Sequence, residues 1–413
     1  MRILQVTLGF YPAQSWGGPA TVVRANGKEL IRRGHRVTVY CSNLWDKDRE
    51  IRPGTFEDTV DGMRVVYFKT WRMRRWPGTL GPHWLPELGA YLNREVETFD
   101  IVHLNGYRSP IMLTAAKAAR RAGVPIVTQP HGTLPVIVNS FALKRVYDEL
   151  FGKRELRGIG ALIALEEQER QQALSHGVPS DRIEIIPNGI DPAERKSAPD
   201  KGAFRRRFGL HLNKPLILFL ARINRKKGTD MLVEAFARMR GVDAHLAIAG
   251  PDDGQLAEVR SLIAKFGLED RVTITGLLTG ADVLGAFQDA DLFVLPCRSD
   301  AFPFAMVESC MMGTPMVTTD RCEIADMIKG RIGDVVPFEA DAFALAMERL
   351  LADRGRLEQY RANCQTMLEQ SFSVRSVVDR LESIYEKVKG PATAAVAPGS
   401  APRAARPEEG RLA

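Results

Sequence analysis

The sequence predicts an α/β protein built from two doubly wound units, each a parallel sheet covered by helices on both faces. Three observations carry this reading. Short runs that are apolar throughout alternate with helical patterns from the first residues onward. The alternation pauses once, at the polar linker DPAERKSAPDKG (191–202), and then resumes. With 413 residues the chain is long enough for two or three domains that each bury a core.

In the first unit (1–190) the candidate strands are Ile3–Leu8, Val37–Tyr40, Ile101–Leu104, Ile126–Gln129, Ala161–Ala164 and Ile183–Ile186. Amphipathic stretches such as Ala20–Arg33 and Ile111–Ala122 lie between them. In the second unit (203–372) the strands are Leu216–Ala221, His245–Gly250, Val272–Thr275, Leu292–Pro296 and Met316–Thr319. A further helix (373–389) follows, with Val374, Val377, Val378, Leu381, Ile384, Tyr385 and Val388 at helical spacing and Ser373 as its N-cap. Residues 390–413, rich in Ala and Pro and without an aromatic, read as a disordered tail.

Composition narrows the function. An apolar share of 45% and a charged share of 26% exclude wholesale disorder and a fibrous protein. No run approaches the ~18 apolar residues of a membrane span, and the first residues lack a signal-peptide pattern, so a cytoplasmic protein is expected. Five dispersed cysteines, with no CxxC, predict reduced thiols and no zinc site. The net charge of +7 belongs wholly to residues 1–190, which hold 26 Lys and Arg against 19 Asp and Glu. An anionic surface partner is therefore expected to meet that half.

Open parallel sheets hold ligands beyond their strand C-termini, so those positions carry the chemistry. After the first strand, Gly17-Gly18 and Pro19 open a helix, where bare backbone amides can face an anion. His131-Gly132 follows strand Ile126–Gln129, and a histidine there can donate and accept near neutrality. In the second unit Arg222 and Lys227-Gly228 follow a strand, a pair able to neutralise a diphosphate from two sides. In PCRSDAFPFAMVESCMMGTPMV (296–317), Asp300 and Glu308 stand about two helical turns apart, and a carboxylate suits the paired hydroxyls of a sugar.

Taken together, the segments GGPA (17–20), HG (131–132), IPNGID (186–191), ARINRKKG (221–228), IAG (248–250), TGLL (275–278) and DAFPFAMVESCMMGTPMV (300–317) identify a likeness. The chain resembles the retaining glycosyltransferases of family 4, also called glycosyl transferases group 1, over residues 1–389. That resemblance implies the GT-B architecture, two Rossmann-like domains facing across a cleft. It implies a nucleoside diphosphate sugar as co-substrate, with no other cofactor and no metal, and a saccharide or lipid-linked saccharide as acceptor, in surface polysaccharide assembly. Arg222 and Lys227 would clamp the donor diphosphate, and Glu308 would take the ribose hydroxyls. Gly17 and Gly18 would offer amides to the diphosphate, and the segment around Gly276 and Leu277 would lie near the base. His131 would touch the hexose, and Asp300, Ala301 and Phe302 would lie along it; His131, Arg222, Lys227 and Asp300 form the expected catalytic group.

Two departures stand out. The usual Glu-Gly at the head of the E-x7-E element is Asp300-Ala301, and the usual Gly-Gly loop reads DRCEIAD (320–326). Both bear on sugar identity, and they keep open a catalytically weakened nucleotide- or saccharide-binding protein; a GT-B enzyme of another reaction type, such as an epimerase-like one, is a further alternative that the order of the motifs disfavours. Asp46-Lys47-Asp48 has a metal-binding spacing but lies in a polar loop, away from any strand end. The stretch 63–88 interleaves five basic residues with Tyr67, Phe68, Trp71, Trp76 and Trp84, which suits an anionic membrane surface. No nucleic-acid-binding motif accompanies it, so nucleic acid is not an expected partner.

Overall fold

The structure is a computed structural model, and it describes residues 1–13, 18–46, 49–72, 83–134, 146–300 and 302–390. The first sheet is formed by β1 (Arg2–Thr7), β2 (Arg36–Ser42), β3 (Phe56–Val60), β4 (Met63–Phe68), β7 (Ile101–Asn105), β8 (Ile126–Gln129), β9 (Ala161–Ala164) and β10 (Ile183–Ile185). A separate two-stranded ribbon pairs β5 (Trp71–Arg72) with β6 (His83–Trp84). The spatial order is β10-β9-β8-β7-β1-β2-β4-β3, parallel except where β3 folds back on β4. Order reverses between β1 and β7, so the loops that leave those two strands diverge and open a crevice.

The helices α1 (Gly18–Arg32), α2 (Pro110–Arg121) and α3 (Glu167–Ser175) belong to this unit. Ser109 caps α2 by accepting from the Ile111 amide at 3.3 Å, with Pro110 in its first turn. Its apolar stripe of Ile111, Met112, Ala115, Ala116 and Ala119 fills one side of the sheet. On the other side Val23 and Leu30 of α1 meet Ile3, Val37 and Val39.

The second sheet runs β13-β12-β11-β14-β15-β16, all parallel. Its strands are β11 (Leu216–Leu220), β12 (His245–Ala249), β13 (Val272–Gly276), β14 (Leu292–Leu295), β15 (Met316–Thr319) and β16 (Gly333–Val336). Order reverses between β11 and β14, which places the loops 221–228 and 296–302 at a switch point. Helices α4 (Thr229–Arg238) and α5 (Phe304–Met312) leave those loops.

The last described helix, α6 (Val374–Lys389), packs on the first unit although it follows the second in the chain. Ile190 and Val374 exchange backbone hydrogen bonds with Phe372 and Ile190 at 2.8 Å each, which stitches the return crossing. Arg33 then reaches Asp379 and Glu382 of α6, each at 2.6 Å. Val377, Val378, Leu381, Ile384 and Tyr385 enter the same core as β1 and β2. Leu381→Ala should therefore destabilise the protein by about 2–5 kcal/mol, read as a lower thermal midpoint. An unchanged midpoint would show that this helix does not complete the first core.

The strands missing from the sequence reading are β3, β4, β16 and the short ribbon of β5 and β6. Met63–Phe68 is a buried sheet strand, with Tyr67 and Phe68 essentially without exposure. This corrects the reading of 63–88 as one surface stretch: Tyr67 and Phe68 serve the core, and Arg64 is held by Glu57 at 2.9 Å and Glu95 at 2.6 Å. Trp71 and Trp84 remain outside at 72% and 52% exposure, while Trp76 lies outside the described residues. The five cysteines are free and buried. Among the described residues no helix is long and apolar enough to cross a membrane.

Candidate functional site

The second unit gathers Arg222, Lys227, Asp300 and Phe302 on the two loops of its switch point, with Glu308 on the helix that follows. Arg222 follows β11 and is held by Asp253 at 2.9 Å, and Asn224 donates to the same carboxylate oxygen at 2.7 Å. The Asn224 side chain also accepts from the Lys227 amide at 3.2 Å, which closes the tight turn. Gly228 ends that turn at φ +70°, where a Cβ would stand 1.9 Å from the Pro296 carbonyl oxygen. Only glycine fits both the left-handed backbone and the close approach of the 296–302 loop. This contact sets Lys227 opposite Asp300, and the two form an ion pair with side chains 17% and 15% exposed.

Asp300 is braced from behind. It bridges to Cys322, and its carbonyl accepts from the Glu323 amide at 2.9 Å. The loop 320–326, where the sequence departs from the family pattern, thus supports this acid directly. Glu323 itself is pushed up to about 7, by burial first and then by the neighbouring Glu166 and Asp300. Phe302 buries its ring edge-on to Phe372, 6.2 Å between centroids, so it can offer a ligand its backbone amide. Ala301 and Gly17 lie outside the described residues.

Glu308 is half-buried on α5, and among the described residues its carboxyl has no hydrogen-bond or ion-pair partner. Burial, then Glu194 of the linker, push it up to about 7. Leu277, after β13, is 66% exposed, an apolar side chain held out beside the strand end.

In the first unit Gly18 is the first residue of α1. His131 adopts φ +55°, a conformation costly for a residue with a Cβ and maintained only when its surroundings over-determine it. Those surroundings are visible. The carboxylate of Glu169 on α3 accepts from the Gly132 amide at 2.6 Å and the Leu165 amide at 2.8 Å. Arg108 donates to the Thr133 and Leu134 carbonyls at 2.5 and 2.6 Å, and it grips Asp148 at 2.6 Å. The His131 Nε2 meets Asn105 Oδ1 at 3.3 Å. Its Nδ1 is buried without a partner among the described residues, and burial holds the ring neutral, with a pKa lowered to about 3. Sequence reasoning missed Asn105, Arg108, Glu169 and Asp253, all of which act on a site residue through space. Asn105 alone left a signal, a polar residue at the end of an apolar strand. Asp46 is committed to Arg49, at 2.8 Å to its amide and 2.7 Å to its guanidinium, and residues 47–48 lie outside the described residues.

Two doubly wound domains with switch-point loops and a terminal helix returned to the first define the GT-B class. Residues 17–189 match the glycosyl transferase 4-like domain, and residues 200–367 match glycosyl transferases group 1. The chain belongs to the GT-B glycosyltransferases of the family 4 type. It is 29% identical to the D-inositol 3-phosphate glycosyltransferase of Nocardia farcinica, over 83% of this chain and 79% of that one. It is 27% identical to an amylovoran biosynthesis glycosyltransferase of Erwinia amylovora, over 58% of this chain and 59% of the other. Among solved structures, Anabaena HepE with UDP and glucose superposes with a TM-score of 0.72 at 19% identity, covering 93% of this chain and 98% of that one.

Proposed function

We propose that this glycosyltransferase is a retaining, metal-independent hexosyltransferase that uses a nucleoside diphosphate sugar. Its acceptor is a saccharide or lipid-linked saccharide, within surface polysaccharide assembly. The observation that carries the reading is the Lys227–Asp300 pair at the β11/β14 switch point, beside Arg222. The UDP and glucose in the Anabaena structure and the amylovoran pathway of the Erwinia relative support the donor class and the setting.

Breaking the anomeric C–O bond leaves its electron pair on the diphosphate while positive charge grows on the sugar. Lys227 and Arg222 stabilise that leaving charge, and the Gly18 amide adds to them from the opposite domain. As Lys227 turns from Asp300 to the diphosphate, Asp300 becomes free to accept from a sugar hydroxyl. The acceptor oxygen then bonds to the anomeric carbon on the face the diphosphate leaves, and its proton passes to a phosphate oxygen. His131 meets the hexose, the Phe302 backbone lies along it, Glu308 takes the ribose hydroxyls and Leu277 borders the base.

The test is a panel of nucleotide sugars with saccharide and inositol phosphate acceptors, run with and without EDTA. Released nucleotide is measured by mass spectrometry, and product anomeric configuration by NMR. Inverted product, or loss of turnover with EDTA, would overturn the corresponding part of the proposal, and donor binding without transfer would make the protein a binding module. A pH prediction follows from Glu308. Its carboxyl is protonated below about 7 and ionised above it, and the ionised form accepts two hydroxyls best. The donor KM should therefore rise up to roughly tenfold between pH 8 and pH 6, and Glu308→Gln should flatten that change. An unaltered pH profile in the variant would remove Glu308 from the donor site.

The exposed Trp71 and Trp84 support peripheral contact with an anionic inner membrane face, where Trp sits at headgroup level. Equal co-sedimentation with anionic and neutral vesicles would count against that contact.

A further inference from the structure

We propose that Asn105 is a positioning residue that holds the His131 imidazole as its Nε2–H tautomer, and that Asn105 is itself oriented by a hydrogen-bonded chain ending in Tyr385 on α6. The inference rests on the reading of His131 as a residue that meets the donor sugar.

The chain runs in one direction. The Asn105 Nδ2 donates to Gln5 Oε1 at 2.7 Å, and the Val6 and His103 carbonyls lie near the same nitrogen at 3.4 and 3.5 Å. Three acceptors on that side fix which end of the amide is the nitrogen, because a rotated amide would set oxygen against oxygen. Asn105 Oδ1 is therefore the atom that faces His131, and an oxygen can only accept, so His131 Nε2 must carry the proton. The other ring nitrogen, Nδ1, then keeps its lone pair, and it is the buried atom without a partner. The tautomer thus sets which ring nitrogen offers a lone pair and which an N–H.

Gln5 is oriented in turn. Its Nε2 donates to the Tyr385 hydroxyl at 3.4 Å and lies 3.4 Å from His103 Nδ1, and that hydroxyl and His103 Nδ1 are 2.7 Å apart. Gln5, His103 and Asn105 are buried on the neighbouring strands β1 and β7, with Gln5 directly opposite His103. Tyr385 enters this network from α6 with no exposure at all. These groups are buried away from bulk solvent, so each amide is held by its neighbour. The returning helix thereby reaches the sugar-facing histidine through three side chains, Tyr385, Gln5 and Asn105.

Long-range proton–nitrogen NMR on protein labelled with 15N-histidine tests this. In the wild type His131, identified by its loss in His131→Gln, should show a protonated Nε2 and an unprotonated Nδ1. Asn105→Leu should shift it to the Nδ1–H form or a mixture and lower kcat roughly tenfold, with donor KM little changed, a split that general loss of structure would not give. Tyr385→Phe should move the His103 Nδ1 resonance, and an unmoved resonance would cut α6 out of the chain. An Nδ1–H tautomer in the wild type overturns the inference without any variant having to fold, as does an unaltered tautomer in Asn105→Leu. If the tautomer is as stated but His131→Gln transfers sugar at the wild-type rate, the donor-site reading fails instead.

Discussion

Lys227→Ala is expected to lower kcat/KM for sugar transfer by about 30- to 900-fold, the equivalent of losing about 2–4 kcal/mol of transition-state stabilisation. Two effects add. The variant removes the charge nearest the leaving diphosphate, and it leaves Asp300 half-buried without its cation. A like charge at Asp300 would then repel the departing group that Lys227 should attract. The double variant Lys227→Ala, Asp300→Asn separates the two, because it removes the repulsion while leaving the lost cation unrepaired. It should recover part of the loss and no more. Steady-state kinetics on the donor found in the nucleotide-sugar panel provide the measurement. Wild-type turnover in Lys227→Ala would take the donor site away from the β11/β14 switch point altogether.

Gly228→Ala is expected to destabilise the second domain by about 3–5 kcal/mol, since left-handed strain and a steric overlap combine. The added carbon would sit 1.9 Å from the Pro296 carbonyl oxygen and 3.2 Å from the Phe338 ring. Neither the main chain of a strand-end loop nor a ring packed under arginines moves cheaply, since Arg298 and Arg321 each lie 4.7 Å from the Phe338 centroid. The thermal midpoint should fall by roughly 6–20 °C. Gly254→Ala is the control: it shares a positive φ of +96° but has open space where the Cβ would go. It should cost only about 1–2 kcal/mol, the backbone share. Equal midpoints for the two variants would mean that the contact between the two loops does not hold the turn.

The two variants mark how far the sequence carries. Arg222, Lys227, Asp300 and Glu308 were legible because each sits a fixed step beyond a recognisable strand, and strand ends in parallel sheets are where ligands sit. The strands Ile126–Gln129, Ala161–Ala164 and Met316–Thr319 were legible for a related reason, since burial on both faces leaves an unbroken apolar run. The strand Met63–Phe68 was not. Arg64 interrupts its run, and only the fold reveals that this guanidinium lies between Glu57 and Glu95.

Phe302 shows a second limit. Its neighbours placed it beside the donor, but its ring turns inward to Phe372, a residue 70 positions away whose location the sequence does not report. Arg108 and Glu169 brace the His131 loop, and Asp253 holds Arg222, over separations of 25 to 37 residues. No local pattern encodes such partners.

By itself the sequence determined the two doubly wound units, the last helix and the identities of the charged residues at the strand ends, because periodicity and chain order are local properties. Only the tertiary structure decided that Lys227 faces Asp300, that half-buried Glu308 has no partner among the described residues, and that His131 lies at the end of a chain from Tyr385. Those facts depend on which distant segments exclude water from one another, and desolvation is a property of the packed molecule.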